Sequence, residues 1–329
     1  MRALQRRLGV LAACVVAFAA ASSARAQATY PSQPIRLIVP FGAGGVVDTV
    51  ARQFANNMSP ALGQSFVVEN RLGAGGKIAE EFVARAPADG HTLLVNFVTR
   101  ATLARVLSGS EPEADVLKEF AFAGMLASSA MVFTVPASLK VADFKGLVAK
   151  VAAEPGKHSY GTPGPATPAH VLSAAIAVRY GLNVSHVPYR GAGQVQADLA
   201  SGIISWSIDT PISSRPRAEA GKTQPLFVIN TARVKAFPDT PTALEIGLKG
   251  FDDQALPVFL MAPAGTPEPV LRRLNEAVGA AHRDPALRKS LEALELIAPE
   301  QGLGLEETRA FAKTQVDTWS RTVDLLEKK

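Results

Sequence analysis

A two-lobed α/β fold is what this sequence predicts, on two observations. Short apolar runs alternate with stretches whose apolar residues recur every three or four positions, the pattern of βαβ units on a largely parallel sheet. The alternation comes in two series, one from Ile35 and one from Met131, and 329 residues exceed a domain of ordinary size.

Residues 1–26 stand outside the fold. Arg2, Arg6 and Arg7 precede an apolar run from Leu8 to Ala21, and Ala24-Arg25-Ala26 has the small-x-small form that signal peptidase accepts. A secretory signal cleaved after Ala26, and a soluble exported product, are expected. The run is shorter than the roughly 20 residues a membrane-spanning helix needs, and no later segment qualifies. Leu11-Ala12-Ala13-Cys14 has the local form of a lipoprotein processing site, but such a cut would leave Val15-Val16-Ala17-Phe18 as a greasy start. Cleavage removes four basic residues (Arg2, Arg6, Arg7 and Arg25), so 34 Lys and Arg against 29 Asp and Glu become 30 against 29. That balance lacks the electrostatic footprint of a nucleic-acid binder. Cys14 is the only cysteine, so the mature chain is expected to have neither disulfides nor thiol chemistry.

The first lobe opens with a strand at Ile35 to Val39. Val47, Val50, Ala51, Phe54, Ala55, Met58 and Leu62 follow on one face of a helix. Ser65 to Glu69 and Thr92 to Val95 read as strands, with a short helix at Ile78 to Ala84. The second series runs strand (Met131 to Val135), helix (Phe144 to Ala153), strand (His158 to Tyr160) and helix (Thr167 to Arg179). It continues with a strand at Val184 to Val187, a helix at Gln194 to Ala200, and strands at Ile203 to Ile208 and Pro225 to Asn230. A strand at Pro257 to Met261 and a helix at Pro267 to Ala281, opened by Thr266-Pro267, come next. The tail from Gly304 reads as a long amphipathic helix, expected to pack back across the first lobe. No repeat of fixed period is visible.

The turn Gly42-Ala43-Gly44-Gly45 joins a strand to a helix. Glycines there let a ligand approach unpaired N–H groups at the positive end of a helix dipole, which makes an anion site without arginine. A plain tight turn is the other reading. A dinucleotide fingerprint would need glycine where Val47 stands, and Gly73 to Ile78 lacks both the first glycine and the Ser or Thr of a Walker loop. The second series repeats the arrangement at Tyr160 to His170, with Gly161 and Gly164 offering N–H groups and Thr162 and Thr167 offering hydroxyls. Thr167-Pro168 reads equally well as an N-cap with proline at the first helical position. Asp48 falls in the first turn of its helix, where the dipole favours an acid. No G-x-S-x-G elbow occurs, and His91, His158, His170, His186 and His282 show no metal-binding spacing. His170 and His186 read as packing or hydrogen-bonding residues; neither a metal nor a cofactor is expected.

Taken in order, several stretches resemble the substrate-binding proteins of tripartite tricarboxylate transporters, the Bug or TctC-type family. They are Tyr30 to Ile35, VPFGAGGVVDTVAR (Val39 to Arg52), VVENRLGAGG (Val67 to Gly76), ADGHTLL (Ala88 to Leu94), HVPYRGAG (His186 to Gly193), FPDTPTALEIG (Phe237 to Gly247) and APAGTPEPVLRRLNEA (Ala262 to Ala277). The resemblance implies a type II periplasmic-binding-protein fold: two α/β lobes, 27–130 with 255–329 and 131–254, joined by two crossovers and closing on a ligand. It implies a small carboxylic acid gripped by two strand-to-helix loops. Carried over, the candidate contacts are Phe41, Gly42, Gly44, Gly45 and Asp48, then Thr162, Gly164, Thr167 and His170, with Asp209 facing the same cleft. Partners would be membrane permease subunits or a sensor protein, with the receptor a monomer and no catalysis. The family usually has proline where Gly42 stands and often a tryptophan near Ala255-Leu256, and Arg100 stands on the expected cleft rim. A secreted α/β hydrolase is the rival, and it lacks a nucleophile motif.

Overall fold

The computed structural model describes residues 30–98, 115–251 and 255–327, the last five by backbone alone. The signal segment with its cleavage point, Cys14 and Arg100 lie outside the described residues.

Two separate sheets organise the chain. In the first, β1 (Ile35–Val39) lies between β2 (Phe66–Asn70) and β3 (Thr92–Asn96), all parallel, with Leu37 opposite both Val68 and Leu93. β10 (Leu256–Pro263) joins antiparallel between β3 and β4 (Phe120–Ser129), and β11 (Leu296–Ile297) closes the edge. The second sheet has the order β7-β6-β8-β5-β9, from β5 (Met131–Pro136), β6 (His158–Thr162), β7 (Val184–Pro188), β8 (Trp206–Asp209) and β9 (Thr223–Ile229). β6 is parallel to β7 and β8, whereas β5 is antiparallel to β8 and β9.

Both sheets are therefore mixed rather than largely parallel, and the crossovers explain it. Only Ala130 separates β4 from β5, so one nearly continuous strand leaves the first sheet and enters the second. After β9 the chain returns to the first sheet as β10, which enters against the direction of β3.

Helices cover the sheet faces because each carries an apolar stripe. α1 (Val46–Leu62) buries Val47, Val50, Ala51, Phe54, Met58 and Leu62 and stops at Gly63, a left-handed cap at φ 68°. α2 (Lys77–Ala84) and the single turn α3 (Val116–Glu119) complete this stretch. In the second lobe α4 (Phe144–Ala153) is capped by Asp143, whose carboxylate accepts the N–H of Gly146. α5 (Pro168–Arg179), α6 (Ala192–Ala200) and α7 (Pro211–Glu219) follow β6, β7 and β8. Phe133 stacks between Phe227 (4.8 Å between ring centroids) and Trp206 (6.0 Å) at the centre of this core.

The chain ends with α8 (Glu268–His282), α9 (Pro285–Ala293) and α10 (Leu305–Glu327). α10 packs on β4 of the first sheet, as expected, and also on α5 of the second lobe, with Trp319 fully buried. It straps the two lobes together rather than serving one.

Candidate functional site

A cavity of about 490 Å³ lies between the lobes, at the carboxyl ends of β1 and β8. Ligands in open α/β sheets sit at such strand ends, where the connections diverge.

The first-lobe wall is the loop Phe41 to Gly45 running into Val46 and Val47. Its shape depends on Asp48, which is only 2% exposed and does not line the cavity. One carboxylate oxygen accepts the N–H of Gly44 at 2.9 Å and Nε of Arg52 at 3.0 Å; the other accepts a guanidinium N–H of Arg52 and Nδ2 of Asn70, both at 2.9 Å. Asn70 also donates to the Phe41 carbonyl at 2.8 Å, tying β2 to the loop. Burial alone would raise the Asp48 carboxyl; the bonds from Arg52, Gly44 and Asn70 outweigh it and hold it below its ordinary value. Gly44 bends through φ 79°, which glycine alone adopts without strain. Its N–H is taken by Asp48, and that of Gly45 points to the Gly42 carbonyl at 3.3 Å. The donors left to this wall include the first N–H groups of α1, at Val46 and Val47, which have no intrahelical partner.

On the second lobe, Thr162 and Gly164 sit behind the wall. Thr162 is fully buried, with Oγ1 3.0 Å from the Gly164 carbonyl and 2.7 Å from Nε2 of His186. Thr167 touches the cavity, but its hydroxyl donates to the Gly164 carbonyl at 2.8 Å. His170 lies off the cavity, stacked on His186 with centroids 3.8 Å apart, and its Nδ1 accepts the Ala166 N–H at 3.3 Å. Burial first, and the neighbouring His186 second, bring its pKa down to about 4, so it is a neutral support for the loop. Asp209 does line the cavity, as do Phe41, Gly42, Gly44, Gly45 and Thr167.

Two further helix starts reach the same space: one follows Tyr189-Arg190-Gly191, a stretch that the sequence reads either as a polar wall of a cleft or as a plain turn, and the other, at Thr210, has no such reading. Gly191 to Gly193 opens α6, and Thr210 to Ser213 opens α7. Thr210-Pro211 repeats the Thr167-Pro168 signature, so that signal was present; nothing local says that the two loops converge. Four helix N-termini thus face one cavity, each with a partial positive charge of about half a unit. Arg190 and Arg217 add full charges on the second-lobe side, and Phe41, Leu72, Phe97, Met131, Ile208 and Leu256 supply apolar surface. Among the described residues no group of three His, Cys, Asp or Glu side chains comes together as a metal site requires, and no helix is long and apolar enough to cross a membrane.

The lobes meet beside this space, backbone against backbone. Gly164, at φ 137°, has no room for a side chain: a Cβ there would lie 3.0 Å from Cα of Gly75. A Cβ on Gly75 would lie 2.2 Å from the Pro165 carbonyl oxygen. Leu72 lies near both Gly42 of its own lobe and Gly191 of the other, and bridges the mouth.

Two lobes shut on a cavity lined by both define the class, a solute-binding receptor. The chain belongs to the tripartite tricarboxylate transporter family receptor (TctC) family, whose model matches residues 50–327. Members of that family are receptors and not enzymes. It is 35% identical over 310 residues to a Pseudomonas sp. (strain P51) protein described as a UPF0065 protein in the tcbD-tcbE intergenic region, covering 92% of this chain and 89% of that one. Among solved structures, MatC of Rhodopseudomonas palustris with bound malate is 28% identical with a TM-score of 0.82, over 89% of this chain and 100% of that one. R. palustris Rpa4515 with adipate is 27% identical with a TM-score of 0.82, over 91% and 98%.

Proposed function

We propose that this protein is a periplasmic receptor that captures a small carboxylic acid between its lobes and delivers it to the membrane permease subunits of a tripartite tricarboxylate-type transporter. The observation that carries the reading is the convergence of four helix starts, those of α1, α5, α6 and α7, on one cavity between the lobes. Unpaired N–H groups at a helix start favour a carboxylate, and removing water strengthens the attraction. Malate and adipate in the structures of two relatives are both carboxylates, which supports the same class here. The second-lobe contacts would come through α5, α6 and α7, and the first-lobe contacts through Val46 and Val47, with Asp48, Thr162, Gly164 and His170 holding the loops in shape. The amino-terminal signal pattern supports export to the periplasm.

A thermal-shift screen of mono-, di- and tricarboxylic acids tests the reading. An acid present at 100 times its Kd adds about 2.7 kcal/mol to the folded state and raises the melting temperature. If no carboxylic acid moves it while neutral or cationic solutes do, the carboxylate assignment is wrong.

A further inference from the structure

Asp209 is an acid on the wall of a cavity whose other features favour an anion. It ends β8 beside Thr210 and Pro211, which open α7, so a carboxylate held at that helix start has the Asp209 carboxyl for a neighbour. Two carboxylates pressed together in a desolvated space do not both ionise; one of them keeps a proton.

The hydrogen bonds around Asp209 suit its protonated form. One oxygen accepts the N–H of Thr210 at 2.7 Å, the other accepts Nε2 of Gln196 at 3.2 Å, and the Ser213 side chain supplies a third bond. The Thr210 hydroxyl donates to Oγ of Ser213 at 3.3 Å, which leaves the Ser213 hydrogen for Asp209. A carboxylate offers about four acceptor positions, and protonation turns one of them into an O–H donor. Three incoming donors then match the three positions that remain, and the O–H is left for the cavity. Gln196 is fully buried, so its amide holds the carboxyl in a fixed orientation. Arg190 and Arg217 line the same space, yet no salt bridge joins either to Asp209 among the described residues. Burial pushes the Asp209 carboxyl above its ordinary value, against the pull of its hydrogen bonds and of Arg217.

Resting on the carboxylate reading, we infer that Asp209 contacts the ligand as a neutral acid, holding a proton in the loaded protein and donating it to the bound carboxylate. Such an O–H···O⁻ bond is charge-assisted and stronger than a neutral one. Where the free protein has lost this proton, binding takes one up from water. Affinity is then greatest at low pH and falls as pH rises from the free to the bound pKa of Asp209. In neutral and alkaline solution the other groups near the site keep their charge. Arg190 and Arg217 stay cationic, Asp48 is paired with Arg52, Asp198 accepts the Tyr189 hydroxyl, and His170 and His186, lowered by burial, are neutral.

Infrared spectroscopy and titration calorimetry test this with whichever of malate, adipate and benzoate binds most tightly. At neutral pH the spectrum of loaded wild type minus that of loaded Asp209→Asn should show the carbonyl stretch of a neutral carboxyl group; without that band the inference fails. Should Asp209→Asn not fold, the band must shift in wild type whose aspartate is isotopically labelled in the side-chain carboxyl, and an absent or unshifted band is equally decisive against it. Between about pH 6 and about pH 9 wild-type affinity should fall by up to about tenfold per pH unit, with proton uptake visible in buffers of different ionisation heat. Asp209→Asn, which donates through its amide at every pH, should match wild type near neutrality and lose that slope. Asp209→Ala, without a donor, should bind about tenfold more weakly or worse, the scale of one hydrogen bond to a charged group. A wild type with no more slope than Asp209→Asn, an Asp209→Ala that binds like wild type, or an Asp209→Asn that binds tenfold tighter at neutral pH overturns the inference and leaves the carboxylate reading standing. No binding by any of the three acids overturns both for these acids.

Discussion

Gly75→Ala tests closure without touching the ligand. An alanine Cβ at this position would stand 2.2 Å from the Pro165 carbonyl oxygen, whereas ordinary contact begins at 3.4 Å, so the two loops must part by about 1.2 Å. Gly75 belongs to the first lobe and Pro165 to the second, so this clash exists only when the lobes are shut. A separate cost, about 1–2 kcal/mol for alanine at φ 63°, applies whether the lobes are open or shut. Overpacking of this kind costs about 1–3 kcal/mol. Charged to the closed state alone, that is a fall in ligand affinity of about 5- to 150-fold. Titration calorimetry with an acid selected by the screen reads the affinity, and scanning calorimetry of the unliganded protein reads the strain separately. Unliganded melting should fall by only a few degrees. Gly164→Ala, which meets Cα of Gly75 from the other side, should behave alike. Wild-type affinity in Gly75→Ala would show that the bound lobes do not meet at these glycines.

Three further outcomes follow from the loops and the strap. Asp48→Asn should destabilise the fold by about 1–3 kcal/mol by weakening bonds to Gly44, Arg52 and Asn70, and should lower ligand affinity as the loop relaxes. Because the Asp48 carboxyl titrates below its unfolded value of 3.8, its contribution is present above that pH and lost as pH falls through the lower folded value. Melting of Asp48→Asn should therefore vary less than wild type in that acid range. His170, with a folded pKa of about 4 against 6.5 unfolded, contributes stability that is complete above 6.5 and lost on acidification toward 4. The full span is about 3 kcal/mol at most, and His170→Gln should flatten the melting-temperature profile across that window. Trp319→Ala should cost about 3–5 kcal/mol in a denaturant titration; a loss under about 1 kcal/mol would mean that α10 does not strap the lobes.

Local pattern was enough for much of this fold. α4 falls where the sequence reads a helix over Phe144 to Ala153, and β1 and β5 are apolar runs broken only by Arg36 and Thr134. β4 was not assigned because Ala121, Ala123, Gly124 and Ala127 are poor strand formers. Long-range packing decides it: Val278 of α8 occupies the space a Gly124 side chain would need, and Asn275 of α8 donates to the Ala123 carbonyl at 2.9 Å. α7 was hidden by two prolines, Pro211 at its start and Pro216 inside it. α9 opens with the cap pair Asp284-Pro285, a start signal legible in the sequence.

For the site, glycine carries its own meaning, and the Gly42 to Gly45 turn was legible on that account. The side chains were less so. Whether Asp48 faces a ligand or its own loop depends on Asn70, which comes from the neighbouring strand 22 residues on. The helix starts at Gly191 and Thr210 join the site because the strand order places β7 and β8 on either side of β6.

A crystal structure of the protein bound to a carboxylic acid found by the screen tests the account most directly. The account places a carboxylate oxygen within hydrogen-bonding distance, direct or through one water, of the N–H groups that open α1 and at least one of α5, α6 or α7. A carboxylate held by Arg190 or Arg217 alone, away from every helix start, would contradict it.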